Sequence, residues 1–237
     1  MYKNQFISAI ITAAGSGNRM NSNIPKLEIK IHNKPIINYT VEKLANVDIF
    51  DEIILVTSKE LLEEYKSRFK IFKNLEVVLG GDSREESTFK GLKALSVKSE
   101  IVLCHDGARP FVKEETILDS IDSAILNGSG VACVKTKDTI KLVSKNKVEL
   151  TPIREKLYLV QTPQTFKTTL ILKAYNTLFN KVKTTDDSSF IEELGEEVYI
   201  VKGSYENIKI TTKEDLLFAK VLLEEKWELE LDMTFIS

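Results

Sequence analysis

Short apolar runs rich in β-branched residues alternate with helical periodicity along the first 136 residues of the chain. The apolar runs lie at 7–12, 52–57, 75–80, 100–105 and 130–136. Between them, apolar residues recur every three or four positions at 35–45, 59–69, 84–95 and 114–126. Continuous apolar runs are typical of strands buried on both faces of a sheet, and parallel strands need a crossover helix between them. The pattern therefore predicts an α/β fold with a mostly parallel sheet flanked by helices.

The alternation of strands and helices stops after Thr136. Between 138 and 166, apolar and polar residues alternate around a polar tip at 144–147, which predicts a β-hairpin that extends from the sheet. The apolar side chains of this hairpin are Ile140, Leu142, Val148 and Leu150. Because they have little of the domain to pack against, the projecting arm favours a homodimer in which a second chain covers it.

The last part of the chain predicts one more strand and two more helices. Alternation returns at 196–211, where a late strand is followed by Lys209, and the segment 214–227 has the periodicity of an amphipathic helix. The polar residues at 186–188 are expected to cap a helix at 190–194, because acidic side chains favour the N-terminal end of a helix.

Charge and composition exclude several partners. The 33 basic and 35 acidic residues give a net charge of -2, so no strong field attracts nucleic acid or anionic lipid. The N-terminal apolar stretch lacks a signal-peptide pattern, and no segment reaches the roughly 20 apolar residues of a membrane helix, so we expect a cytoplasmic protein.

Cys104 and Cys133 lie in apolar runs without metal-binding spacing and are expected to be buried reduced thiols. Without repeats or linkers, residues 1–237 are predicted to form a single domain that includes the arm at about 137–157.

Candidate ligand-binding loops follow several predicted strands, and their sequences are AAGSGNRM, GGDSREES, HDGARP and NIKIT. In open parallel sheets, ligands bind beyond the carboxyl ends of the strands. The first loop has Gly15 and Gly17, but Met20 replaces the third glycine of a dinucleotide motif, and the P-loop ending is missing. A plain tight turn is one interpretation. Arg19 and Lys26 favour the other, in which backbone N–H groups and two cations hold a triphosphate.

Asp106 is the candidate metal ligand. It follows the apolar run at 100–105 and precedes Gly107, so its carboxylate should face the same sheet edge as the first loop. A carboxylate there suits Mg²⁺, whereas a turn or a helix cap is the alternative role. Arg109 could pair with Asp106 or hold a second phosphate, and both roles remain open. His105 has no plausible orienting acid, so it is expected to be a packing residue, and a triad hydrolase is poorly supported.

In this order, the motifs resemble those of the 2-C-methyl-D-erythritol 4-phosphate cytidylyltransferase family. The resemblance spans nearly the whole chain and rests on AAGSGNRM with Pro25 and Lys26, GGDSREES, HDGARPF, DTIK, TPQTF, TDD and NIKITTKEDL. It implies a Rossmann-like fold of the nucleotide-diphospho-sugar transferase type with a dimerising β-arm. It also implies a reaction of non-mevalonate isoprenoid precursor biosynthesis. In that reaction the phosphate of the methylerythritol substrate attacks the α-phosphorus of CTP in the presence of Mg²⁺, and pyrophosphate leaves.

The resemblance also implies roles for individual residues at matching positions. The implied catalytic residues are Arg19, Lys26, Asp106 and Lys209, and Asp106 is the implied metal ligand. The implied CTP-binding residues are Ala13, Ala14, Gly15, Ser16, Gly17, Arg19, Lys26, Gly81, Asp82 and Ser87. The implied ligands of the polyol phosphate are Asp106, Arg109, Thr139, Arg154, Thr162 and Lys209. Thr139 and Arg154 would reach in from the arm of a second subunit.

Three positions depart from the family pattern. Leu27 stands where many members have glutamine, Ile153 stands where many have aspartate, and Gly107 stands where alanine is frequent. Leu27 cannot make the contacts of a glutamine side chain, and Ile153 leaves Arg154 without a local partner. None of the three removes a charge that the resemblance assigns to the reaction.

Three other functions are alternatives to this one. The sister ribitol 5-phosphate cytidylyltransferases commonly show LAGGxGxRM and HDAVRP, whereas this chain has TAAGSGNRM and HDGARP, nearer to the methylerythritol enzymes. An NAD-dependent oxidoreductase predicts an acidic residue after the second strand, where the chain has Thr57 and Ser58. A non-catalytic nucleotide-binding module with the same fold is the third alternative.

Overall fold

The computed structural model of the protein describes residues 1–15 and 24–233. Its strands are β1 (Ile7–Ala13), β2 (Lys30–Ile31), β3 (Lys34–Pro35), β4 (Glu52–Thr57), β5 (Leu75–Leu79), β6 (Ile101–Asp106), β7 (Ser129–Lys135), β8 (Leu142–Ser144), β9 (Lys147–Leu150), β10 (Tyr158–Lys167) and β11 (Ile200–Lys202). Its α-helices are α1 (Ile36–Ala45), α2 (Leu62–Arg68), α3 (Arg84–Ala94), α4 (Glu114–Asn127), α5 (Thr168–Leu178), α6 (Asp187–Glu193) and α7 (Lys213–Met233).

A seven-stranded sheet forms the centre of the molecule, with the strand order β11-β7-β10-β6-β1-β4-β5. Its strands pair in parallel except for β10, which is antiparallel to both β6 and β7. The carboxyl ends of the parallel strands therefore lie along one edge, and β10 begins at that edge. The predicted mostly parallel sheet flanked by helices is confirmed.

Alternate residues of the central strands pack against helices on opposite faces of the sheet. In β1, Ile7, Ala9 and Ile11 belong to one apolar cluster with residues of α1 and α4. Ile10 belongs to a second cluster with residues of α3 and α5. All four side chains are completely buried, and each buried isoleucine contributes about 1.5–3 kcal/mol. Burial on both faces explains why the strands are continuous apolar runs in the sequence.

The segment predicted as a late strand is mostly irregular. Of residues 196–211, only the three residues of β11 pair with the sheet. Further on, the backbone N–H of Ile210 donates to the carbonyl of Ala108, with an N–O distance of 2.9 Å. Lys209 therefore lies beside the loop that follows β6, and the prediction that it stands at the end of a strand is wrong.

Helix boundaries differ from the predicted ones at three places. Helix α2 is shorter than 59–69, and α7 extends beyond 214–227. Helix α6 begins before residue 190, at Asp187. The carboxylate of Asp186 caps α6 by accepting a hydrogen bond from the backbone N–H of Ser189 at 3.0 Å, as predicted. The capping prediction is wrong for Asp187, because this first helical residue turns its carboxylate into the protein interior.

Strands β8 and β9 form the predicted hairpin. They pair in antiparallel fashion around Lys145 and Asn146, whose φ angles of 47° and 62° are those of a tight hairpin turn. Every residue of both strands is exposed. The hairpin itself is confirmed, and its role in dimerisation stays a prediction.

Two composition-based expectations can be compared with the structure. Cys104 and Cys133 are buried free cysteines, as predicted. Within the ranges 1–15 and 24–233, none of the helices combines the length and the apolar character that a membrane crossing requires.

Candidate active site

The candidate site lies at the edge of the sheet where β1 and β6 end. Asp106 is the last residue of β6, and it lies opposite Thr12 in the parallel pairing with β1. Beyond the strand end, the backbone N–H of Gly107 donates to the carbonyl of Thr12 at 2.9 Å. The loop after β1 therefore begins beside Asp106, as the order of the motifs predicts.

Three cationic side chains surround the carboxylate of Asp106. The Lys209 Nζ lies 2.9 Å from Oδ2, the Arg109 Nε lies 3.4 Å from the same oxygen, and the Arg84 Nε lies 3.4 Å from Oδ1. Burial would raise the pKa of Asp106, but the charges of Arg84, Lys209 and Arg109 outweigh it and hold this pKa well below its usual value. The carboxylate is therefore ionised at neutral pH. Arginine and lysine side chains gathered at one point are the groups that bind a phosphate ligand.

Arg84 is held by a second carboxylate on its other side. Its two terminal nitrogens donate to the two carboxylate oxygens of Asp187 at 2.9 and 2.8 Å, and the Tyr175 hydroxyl donates to the same carboxylate at 2.6 Å. The side chain of Asp187 is completely buried, and that of Arg84 is 24% exposed. This pair was missed in the sequence because its members are 103 positions apart. The only signals were an arginine within the loop motif GGDSREES and an aspartate within the motif TDD.

A chain of hydrogen bonds supports Asp106 from behind. Its backbone N–H donates to the hydroxyl of Thr162 at 3.1 Å, and that hydroxyl lies 3.1 Å from the Nδ1 of His105. The Nε2 of His105 lies 3.0 Å from the carbonyl oxygen of Arg109, which can only accept, so we assign the ring proton to Nε2. Burial lowers the pKa of His105 to about 4. The ring is therefore neutral at pH 7 and engaged at both nitrogens, in agreement with a packing role.

Two clefts open beside Arg84. The larger has a volume of about 920 Å³ and is lined by residues 13–15, 24–27, 58–61 and 79–84 together with Lys90. The smaller has a volume of about 420 Å³ and lies between β10, the start of α6 and the cations around Asp106. Arg84 lines both clefts. Arg84 and the adjacent Asp106 therefore mark the point where two bound molecules would meet.

The larger cleft contains most of the described residues that were predicted to bind CTP, namely Ala13, Ala14, Gly15, Lys26, Gly81 and Asp82. Gly80 allows two loops to approach here, because a Cβ at this position would lie only 2.5 Å from the Cβ of Ala14. Ser87 is buried behind the cleft rather than lining it. Its hydroxyl accepts from the backbone N–H of Gly81 at 3.1 Å and donates to the carbonyl of Ser83 at 2.8 Å. Ser87 therefore shapes the turn that carries Gly81.

Two of the three departures from the family pattern, Leu27 and Gly107, lie close together. Leu27 is only 6% exposed, and it lies in the short helical turn Lys26–Glu28. A Cβ at Gly107 would lie 3.3 Å from the Cδ1 of Leu27 and 3.0 Å from the Cδ1 of Ile37. The glycine beside Asp106 thus leaves room for the leucine beside Lys26.

The smaller cleft contains four of the residues that were predicted to bind the polyol phosphate, namely Asp106, Arg109, Thr162 and Lys209. The remaining two, Thr139 and Arg154, are exposed on the arm and line neither cleft. Among the residues predicted to bind CTP, Ser16, Gly17 and Arg19 lie outside the described residues.

Asp106 is also the residue on which the metal prediction depends. Among the described residues, no group of three or more histidine, cysteine, aspartate or glutamate side chains could hold a metal ion. Mg²⁺ commonly takes one or two protein carboxylates and receives its other ligands from phosphates and water. Asp106 supplies one ionised carboxylate, but its two oxygens already contact Arg84, Arg109 and Lys209, so a cation there depends on a nucleotide for its other ligands.

A mostly parallel sheet with a glycine-containing loop, a cationic cluster and two clefts that share Arg84 at its carboxyl edge defines an α/β nucleotide-binding protein. The family model "IspD: 2-C-methyl-D-erythritol 4-phosphate cytidylyltransferase" matches residues 7–225. Relatives of that name from Clostridium botulinum (strain Langeland) and Clostridioides difficile (strain 630) are 44% and 45% identical. The alignments cover 92% and 91% of this chain and 97% and 93% of the two relatives.

Solved structures give the same result. The 4-diphosphocytidyl-2C-methyl-D-erythritol synthase from Anaerococcus prevotii is 41% identical with a TM-score of 0.84, over 93% of this chain and 96% of that one. The 2-C-methyl-D-erythritol 4-phosphate cytidylyltransferase from Francisella tularensis is 31% identical with a TM-score of 0.78, over 91% and 98%. This chain belongs to the 2-C-methyl-D-erythritol 4-phosphate cytidylyltransferase family. The matches do not favour the ribitol 5-phosphate alternative.

Proposed function

We propose that this protein transfers the cytidylyl group of CTP to 2-C-methyl-D-erythritol 4-phosphate. The products are 4-diphosphocytidyl-2-C-methyl-D-erythritol and pyrophosphate, and the reaction serves non-mevalonate isoprenoid precursor biosynthesis. Family membership supports the reaction. The structural observation that carries the proposal is the junction of two clefts at Arg84 and Asp106, with volumes suited to a nucleotide and a smaller phosphate ester.

The bond-forming step needs no catalytic base. The second pKa of a phosphate monoester is near 6, so at neutral pH an anionic phosphate oxygen can attack the α-phosphorus of CTP directly. A new P–O bond forms as the bond to the bridging oxygen of the β-phosphate breaks, and pyrophosphate leaves with that electron pair. Catalysis then depends on alignment and on neutralisation of negative charge. The neutral ring of His105 has no role in proton transfer, because both of its nitrogens are engaged.

The larger cleft would hold CTP. Residues 13–15 and 80–82 line its wall, where glycine would leave N–H groups accessible to phosphate and permit the close approach of a flat base. Lys26 lines the same cleft and would neutralise the triphosphate together with Arg19. Gly81 and Asp82 would contact the base and the ribose, and Ser87 would hold their turn in place.

The smaller cleft would hold the polyol phosphate. Lys209 and Arg109 would bind its phosphate near Asp106, and Thr162 lines the same cleft. The side chain of Lys209 is 34% exposed, so its ammonium group can contact both Asp106 and an incoming phosphate. Arg84 would face the reacting phosphates from the junction. Because Asp187 already holds the guanidinium, little reorganisation is needed at the moment of reaction.

A divalent cation such as Mg²⁺ fits beside Asp106. The low pKa of Asp106 keeps the carboxylate ionised, as a metal ligand must be. When bound, the cation would neutralise phosphate charge and orient the triphosphate. Oxygens of CTP would supply further ligands.

A homodimer is part of the proposal. The arm carries exposed apolar side chains, and these are Ile140, Leu142, Val148, Leu150 and Ile153. Burial of such a surface by a second chain is favourable, because apolar area is removed from water. Thr139 and Arg154 belong to the same arm and would complete the smaller cleft of the other subunit. We also place the protein in the cytoplasm, in agreement with its buried free thiols.

A substrate assay tests the proposed reaction. Purified protein is given CTP and Mg²⁺ with either 2-C-methyl-D-erythritol 4-phosphate or ribitol 5-phosphate, and pyrophosphate and the cytidylyl product are measured. We expect 2-C-methyl-D-erythritol 4-phosphate to be turned over much faster than ribitol 5-phosphate. Faster turnover of ribitol 5-phosphate would overturn the choice of substrate. Binding of CTP without pyrophosphate release in the presence of either polyol phosphate would indicate a nucleotide-binding module without activity.

A further inference from the structure

A cluster of polar side chains lies beside the turn that carries Lys26. The two carboxylate oxygens of Glu28 each accept a hydrogen bond from Arg68 at 2.8 Å. The hydroxyl of Tyr65 donates to the same carboxylate at 2.7 Å, and Arg68 also donates to the side-chain oxygen of Asn38 at 3.2 Å. We call Glu28, Tyr65 and Arg68 the Glu28 clamp.

The Glu28 clamp is largely shielded from water. The side chains of Glu28 and Arg68 are 14% and 22% exposed, and Tyr65 is completely buried. Burial would raise the pKa of Glu28, but the hydrogen bonds from Arg68 and Tyr65 outweigh it and lower this pKa. The carboxylate is therefore ionised at neutral pH. A bidentate pair in such surroundings fixes its partners more firmly than an exposed ion pair does.

The Glu28 clamp connects two parts of the larger cleft. Lys26 and Glu28 are the two ends of one helical turn, in which the backbone N–H of Glu28 donates to the carbonyl of Pro25 at 2.8 Å. The other two clamp residues lie on α2, directly after residues 58–61, which line the same cleft as Lys26. Between the ends of the turn, Leu27 is buried in the apolar core. The turn is therefore held at two points, the core and α2.

We propose that the Glu28 clamp positions Lys26 toward the triphosphate of CTP. By tying the turn to α2, the clamp fixes the backbone from which the Lys26 side chain extends. It also fixes the distance between this turn and the cleft wall at 58–61. The inference rests on the proposed function, because it requires Lys26 to contact CTP. A misplacement of about 1 Å at a reacting group can cost up to about 10²-fold in rate. Side chains that do not touch the nucleotide can therefore affect the rate at which it reacts.

Glu28→Gln tests the clamp, because it removes the charge and keeps the size of the side chain. The matched control is Glu64→Gln, since Glu64 pairs with the same Arg68 but is 52% exposed on α2. We expect Glu28→Gln to raise the KM for CTP about 10-fold and leave the KM for the polyol phosphate unchanged. Calorimetry should show a matching loss of CTP affinity. Glu64→Gln should keep the constants of the unsubstituted protein, and Tyr65→Phe should show a smaller change in the direction of Glu28→Gln.

A double-mutant cycle with Lys26→Ala decides whether the clamp acts through Lys26. We expect the double variant to match Lys26→Ala, because the turn then has no ammonium group to place. Equal losses from Glu28→Gln in both backgrounds would overturn the inference, as would a Glu28→Gln variant that behaves like Glu64→Gln. If circular dichroism shows that Glu28→Gln does not fold, Tyr65→Phe makes the same comparison in both backgrounds.

The cycle also separates this inference from the proposed function. If Lys26→Ala is impaired and the clamp variants are not, only the positioning role of the clamp fails. If Lys26→Ala binds and turns over CTP normally, the proposed role of Lys26 fails, and the clamp inference fails with it.

Discussion

Replacement of Asp187 by asparagine tests the buried ion pair that fixes Arg84 at the junction of the clefts. The carboxylate of Asp187 accepts two hydrogen bonds from Arg84 and one from the hydroxyl of Tyr175. Asparagine has nearly the same shape, but its amide NH₂ would face an N–H donor of the guanidinium. Of its ion pairs with the described residues, Arg84 would then keep the longer, 3.4 Å contact with Asp106.

The expected loss of stability follows from burial. Removal of one partner of a buried ion pair costs about 3–5 kcal/mol, because the remaining charge is left uncompensated. Since Arg84 is 24% exposed and keeps its contact with Asp106, we expect a loss near the lower end of that range. For a domain of this size, about 3 kcal/mol corresponds to a fall in Tm of about 6–12 °C.

Urea unfolding followed by circular dichroism measures the free energy of unfolding. Glu196→Gln is the control, because Glu196 pairs with Lys173 at the surface, where the two side chains are 46% and 61% exposed. Loss of such a pair should change the free energy of unfolding by less than about 0.5 kcal/mol. A loss below about 1 kcal/mol for Asp187→Asn, within the ordinary range of substitutions, would refute the argument that Arg84 depends on Asp187.

Three further predictions concern the cations, the arm and pH. Lys209→Ala should slow pyrophosphate release by on the order of 10²-fold without a change in circular dichroism, because one preorganised cation is lost; the exposed Lys202→Ala should have no effect. Val148→Asp should shift the mass measured by light scattering from dimer to monomer, because a charge enters the proposed apolar contact; an unchanged mass would contradict the arm's role. The pKa of His105 is about 4 in the fold and 6.5 in the unfolded chain, so the unfolded state binds more protons between these values. The free energy of unfolding should therefore fall by about 1 kcal/mol from pH 7 to pH 5.5. If a His105→Gln variant shows the same fall, a group other than His105 is responsible.

The position of Asp106 could be predicted because two strong signals agree there. The strands β1 and β6 are buried on both faces, so each is a continuous apolar run whose end is clear in the sequence. Parallel pairing then places both ends at one edge of the sheet, where the glycine loop and Asp106 lie side by side. Part of the smaller cleft could be predicted in the same way, because Asp106 at the end of β6 lines it.

Tertiary contacts without a local pattern could not be predicted. Arg84 and Asp187 meet only because α3 and α6 begin at the same edge of the sheet. Lys209 was placed after a strand because apolar residues alternate around it. Ile210 is buried and its backbone bonds to Ala108, so an irregular segment that buries one of its apolar side chains can have the same periodicity as a strand.

The most direct test of the central claim, that transfer occurs where the two clefts meet, is the rate of pyrophosphate release by Asp106→Asn. Asparagine keeps the size of the side chain and removes the charge around which Arg84, Arg109 and Lys209 gather. The assay uses CTP, Mg²⁺ and 2-C-methyl-D-erythritol 4-phosphate, with circular dichroism as the control for folding. We predict a folded protein whose pyrophosphate release is slower by about 10²-fold or more. A rate close to that of the unsubstituted protein would contradict the account.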